Sequence, residues 1–95
     1  MLTSKDRAKL RAMANQIDTI LQVGKGGIGE QLIKQVDDAL EAREIIKIRV
    51  LETAPGFARE MGEELAQATN SEVVQTIGTK IVLYRKNKKN PKVVL

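Results

Sequence analysis

Thr19 to Leu51 reads TILQVGKGGIGEQLIKQVDDALEAREIIKIRVL, and its three parts decide the fold. Thr19 to Val23 is a short β-forming run stopped by Gly24, Lys25, Gly26 and Gly27, a cluster that no strand or helix interior favours. Ile28, Leu32, Ile33, Val36 and Leu40 then share one face of a helix ending near Arg43. From Ile45 to Leu51, Ile46, Ile48 and Val50 alternate with Lys47 and Arg49, so one face is buried and the other carries two cations. Strand, helix and strand in this order call for a right-handed crossover with the two strands parallel.

Working outward, Thr3 with Asp6 marks a capped helix start, and Leu10, Met13, Ala14 and Ile17 follow at helical spacing, giving a first helix to about Gln16. Pro55 suits a first helical turn, and Phe57, Met61, Leu65 and Ala68 continue a stripe as far as Asn70. Glu72 to Ile77 and Lys80 to Arg85 are β-rich runs joined by Gly78-Thr79, which fits a type II′ hairpin. The order α-β-α-β-α-β-β predicts an α+β, two-layer fold with a four-stranded mixed sheet backed by helices. Residues 1–86 are expected to form one domain and residues 87–95 a basic C-terminal tail. The run Lys86 to Lys92 is expected to be mobile, with Val93, Val94 and Leu95 able to dock.

Ninety-five residues suffice for one domain and exclude a two-domain enzyme. The hydrophobic share of 42% excludes a disordered chain. Histidine and cysteine are absent, which excludes zinc fingers, iron–sulfur clusters, disulfides and catalysis by either side chain. No metal or other cofactor is implied, and the chain is expected not to be an enzyme. Without a signal-type leader or an apolar stretch of about 18 residues, it is expected in the cytoplasm, away from membranes.

The net charge of +4 is unevenly laid out. Met1 to Ile28 carries +3, Gly29 to Glu44 −3, Ile45 to Glu52 +1, Thr53 to Glu72 −3 and Val73 to Leu95 +6. Basic ends thus flank acidic middle helices. Lys5 and Lys9 stack one turn apart on the first helix, Lys47 and Arg49 line the second strand, and Arg85 and Lys86 close the fourth. A solvated helix face accounts for the first helix alone. Basic clusters on separate elements point instead to an extended polyanion.

Between a strand and a helix N-terminus, the glycine cluster offers free N–H groups and a positive dipole end to an anion such as phosphate. As G-x-x-G (Gly24, Gly27), it is a clamp through which an RNA backbone can approach, with Lys25 adding a charge. As G-x-G-x-x-G (Gly24, Gly26, Gly29), with Glu52 near the ribose position, it matches a dinucleotide fingerprint, although the second parallel half of such folds is missing. The third possibility is a plain glycine turn that caps the helix. Phe57 and Tyr84 are the only aromatics, so a platform of stacked rings is not available. Phe57 is expected in the core; Tyr84 is divided between the core and a surface on which one base stacks.

Four stretches together, in order and spacing, resemble the stand-alone bacterial CRM domains, the YhbY-like RNA-binding family. They are Leu2-Thr3-x-Lys5, Gly24-Lys25-Gly26-Gly27, Ile46-Lys47-Ile48-Arg49 and Ile77-Gly78-x-x-Ile81-Val82-Leu83-Tyr84-Arg85. The resemblance implies a fold similar to the C-terminal domain of translation initiation factor three with an added N-terminal helix, and sheet order one-two-four-three. It also implies binding of structured ribosomal RNA during assembly of the large ribosomal subunit; the chain itself is expected to be a monomer. RNA contact carries over to Gly24, Lys25, Gly26 and Gly27, and to Lys47 and Arg85. Gly29 departs from the Thr or Ser that caps this helix in many relatives. A nucleotide-binding protein and a ribosome-associated adaptor for other proteins stand as alternatives.

Overall fold

Seven elements form in the expected order in the computed structural model, which describes residues 2–95. Helix α1 (Ser4–Ala14) begins where the Thr3 hydroxyl accepts the Asp6 N–H at 3.0 Å and the Asp6 carboxylate accepts the Thr3 N–H at 3.1 Å. That reciprocal cap satisfies two amides, and α1 ends two residues before Gln16. Strand β1 (Thr19–Val23), helix α2 (Glu30–Arg43) and strand β2 (Ile45–Val50) form the crossover unit. Helix α3 (Ala58–Thr69), strand β3 (Glu72–Ile77) and strand β4 (Lys80–Tyr84) complete the chain. Gly78, the first of the two hairpin residues, has φ +57°, the left-handed conformation that a type II′ turn puts there.

Helix α3 starts later than its apolar spacing suggests. Pro55 lies ahead of it, and the Glu60 carboxylate accepts the Phe57 N–H at 3.0 Å, fixing Phe57 as the residue before the first turn. Phe57 is consequently swung out of the core and 83% exposed, contrary to expectation. Ala68 also faces solvent, and the buried stripe runs through Ala58, Met61, Leu65, Ala66 and Thr69.

The sheet order is β1-β2-β4-β3, with β1 parallel to β2 and the other neighbours antiparallel. Both outer strands lose register once, between Thr19 and Leu21 in β1 and between Val73 and Gln75 in β3. On one face, Val23, Ile46, Ile48, Val50, Ile81 and Leu83 pack against Val36 and Leu40 of α2 and Met61 and Leu65 of α3. Each such aliphatic side chain contributes about 1.5–3 kcal/mol by leaving water. On the other face, Leu10 and Ala14 of α1 cover Ile45, Val74, Val82 and Tyr84. Helix α1 therefore adds a partial third layer at the Ile45 and Tyr84 end of the sheet.

Val93 joins this second cluster and is buried. The expected mobile tail is in fact tied down, because the carboxylate of Glu44 accepts the N–H groups of Asn87 (2.8 Å), Lys92 and Val93 (2.7 Å). The Asn87 side chain in turn donates to the Glu41 carbonyl and accepts the amides of Lys89 and Asn90.

Candidate nucleic-acid interface

The glycine loop is shaped by what lies beneath it. Leu51 donates its N–H to the Val23 carbonyl at 2.9 Å, laying residues 51–55 below the loop. Gly24 to Gly27 closes a turn in which the Gly27 N–H donates to the Gly24 carbonyl at 2.9 Å. Gly27 has φ +66°, and a Cβ there would lie 2.9 Å from Cγ of Pro55, so both backbone and space require glycine. With the Gly27 amide engaged inside the turn, an incoming anion is left the amides of Lys25 and Gly26 and those of the first turn of α2. Gly29 is the N-cap of α2 and provides no side-chain cap, so the first amides of this 14-residue helix lack that acceptor; exposed Glu30 stands in its first turn and exposed Lys25 in the loop before it.

The dinucleotide match fares less well. In that fingerprint the last glycine permits close helix–strand packing. A Cβ on Gly29 would meet nothing within 4 Å, and neither would one on Gly26.

Further cations lie across the sheet. Arg49 is exposed on β2, opposite Gln22 of β1 on one side and Lys80 of β4 on the other. Lys80 belongs to this row but was not among the residues that the sequence singled out. Its place follows from the register of the hairpin and from β4 lying beside β2, both long-range facts. Lys47 shares the face of Arg49, but its ammonium donates to the Ile17 carbonyl at 3.3 Å where the chain leaves α1. Lys5 and Lys9 are exposed on α1, which lies on this same side of the sheet.

Arg85 and Lys86 are not brought together with the loop. Strand β4 runs from Lys80, beside the loop end of β2, to Tyr84 opposite Ile45, which puts Arg85 at the far end. There the Arg85 guanidinium donates to the Asp37 carboxylate (2.6 Å), the Glu41 carboxylate (3.2 Å) and the carbonyls of Asp37 (3.0 Å) and Thr69 (2.8 Å). It clamps α2 and α3 to the sheet and has no donor fork to offer a phosphate. Lys86 is exposed at this far end.

Glu44 is the residue whose importance the sequence hid. It follows α2 with φ +66°, an uncommon conformation for a side chain other than glycine or asparagine, and is fully buried. Burial pushes its carboxyl up, but the three backbone donors and nearby Lys86 outweigh this and hold it below the ordinary carboxylate value. Tyr84 is buried, which decides its role in favour of the core. Burial, with Glu44, Asp6 and Glu72 nearby, pushes its phenol up and keeps it neutral.

These features can be set beside known proteins. The family model described as CRS1 / YhbY (CRM) domain matches residues 2–85. The chain is 44% identical over 95 residues to the Probable RNA-binding protein YqeI of Bacillus subtilis, covering 100% of this chain and 99% of that one. It is 40% identical over 86 residues to the Probable RNA-binding protein MJ0652 of Methanocaldococcus jannaschii, covering 88% of this chain and 63% of that one. The solution structure of the hypothetical protein SAV1595 from Staphylococcus aureus superposes with a TM-score of 0.82 at 50% identity, covering 100% of this chain and 99% of that one. The match over residues 2–85 and the 44% identical full-length relative show that this chain belongs to the CRS1/YhbY (CRM) domain family.

Proposed function

We propose that the chain binds structured RNA by its backbone, through the amides around Gly24–Gly27 and the start of α2. Lys25, Arg49 and Lys80 add charge, and Lys5 and Lys9 extend the basic surface over α1. The carrying observation is the N-terminus of α2, which has no side-chain cap and follows directly on the loop that holds exposed Lys25. Support comes from relatives named as RNA-binding proteins over nearly the whole chain. Ribosomal RNA of the large subunit, during its assembly, is the target that the family resemblance suggests. Contacts of this type position the protein and respond to RNA shape more than to base identity. The function needs no catalysis.

Magnetic-resonance titration with fragments of large-subunit RNA tests the reading. The signals of Lys25, Gly26 and the first turn of α2 should move most. If they stay still while other regions respond, the loop is not the site.

A further inference from the structure

Beside the loop lies a cavity of about 520 Å³, walled by Val50, Leu51, Pro55, Ala58 and Thr79, with Phe57 and Glu52 also lining it. We infer that this cavity holds one unstacked nucleobase of the bound RNA, with guanine preferred. The inference rests on the RNA-binding reading of the loop.

Continuity is the first argument. Leu51 and Pro55 are walls of the cavity and are also the side chains over which Gly24 and Gly27 lie. A phosphate at the loop therefore places its neighbouring nucleotide next to the cavity. The second argument is Phe57, an aromatic side chain 83% exposed at the cavity. A single aromatic face beside a phosphate site is suited to a base, because every base has a π-face and stacking is worth roughly 1–3 kcal/mol.

Glu52 supplies the preference. A carboxylate only accepts hydrogen bonds, and the Watson–Crick edge of guanine presents two donors side by side, N1–H and N2–H. Glu60 also lines the cavity, but its carboxylate already accepts the Phe57 N–H. Uracil presents a single donor between two carbonyl acceptors and is the poorer guest.

The test uses the full chain and short RNA hairpins that share one stem, with an all-uridine loop or the same loop carrying one guanosine. Affinities are read by fluorescence anisotropy across a salt series. The guanosine hairpin should bind more tightly. Phe57→Ala should weaken it about tenfold with the salt slope unchanged, and Phe57→Tyr should restore it. Glu52→Gln should abolish the preference for guanosine. Phe57 is exposed, so Phe57→Ala leaves folding intact, and a thermal melt verifies this. If Phe57→Ala binds both hairpins as the parent does, while Lys25→Ala weakens both and flattens the salt dependence, the base site is overturned and the loop reading survives. If the parent binds neither hairpin, nor any large-subunit fragment, both fail.

Discussion

The two ends of the sheet use charge in opposite ways. At the Glu44 and Arg85 end, ionised groups are enclosed and matched: one carboxylate holds three amides of the tail, and one guanidinium clamps two helices. At the glycine-loop end, Lys25, Arg49 and Lys80 face water, next to a helix terminus without a side-chain cap. The same residue types thus build the fold at one end and stand exposed to water at the other. A basic count along the chain cannot separate the two; partner geometry can.

The sharpest break of this comparison is Glu44→Ala. It orphans amides in a dry site and should cost about 3 kcal/mol in urea unfolding, with residues 87–93 losing hydrogen-exchange protection. Its pH counterpart follows from sign. Because the carboxyl lies below its ordinary value in the folded state, the stabilisation is fully present above the ordinary carboxylate range, near pH 4.5, and is lost as pH falls through the lower, folded value. Glu44→Gln should shrink that acid limb.

Arg85→Ala should come next, costing about 2 kcal/mol by freeing Asp37, Glu41 and the end of α3, while the salt slope of RNA binding stays put. A fall in that slope would return Arg85 to the interface. Gly27→Ala brings both ends into one measurement, since it strains a left-handed residue against Pro55. It should lose about 1–2 kcal/mol of stability and a larger share of RNA affinity. The gentlest change is Lys25→Ala, expected within about 0.5 kcal/mol of the parent in stability. With about five phosphates neutralised, the parent slope of log affinity against log salt should be roughly −3.5 to −4.5, and this variant should lower its magnitude by up to about one.

Much of the architecture was legible because it is written in local periods. Ile46, Ile48 and Val50 alternate within six residues, α2 repeats its stripe every turn, and Gly78-Thr79 names its own turn. What escaped depends on distant partners. Phe57 looked like the first residue of a core stripe in a helix opening at Pro55, yet the Glu60 cap on the Phe57 amide sets the helix start at Ala58. Glu44 read as an ordinary acid at a helix end. The available hint was its position, a C-cap where glycine is the common occupant, directly before a strand of isoleucines. Arg85 was assigned to RNA because its acceptors lie 16 to 48 residues away in sequence. Lys25 and the glycines stood out because turn chemistry is local.

The lapses of register in β1 and β3 have a consequence for how these molecules behave when crowded. A strand whose ladder skips a beat is a poor splint for a neighbour's backbone. Each margin of the sheet thereby offers a further strand a broken template rather than a continuous ladder.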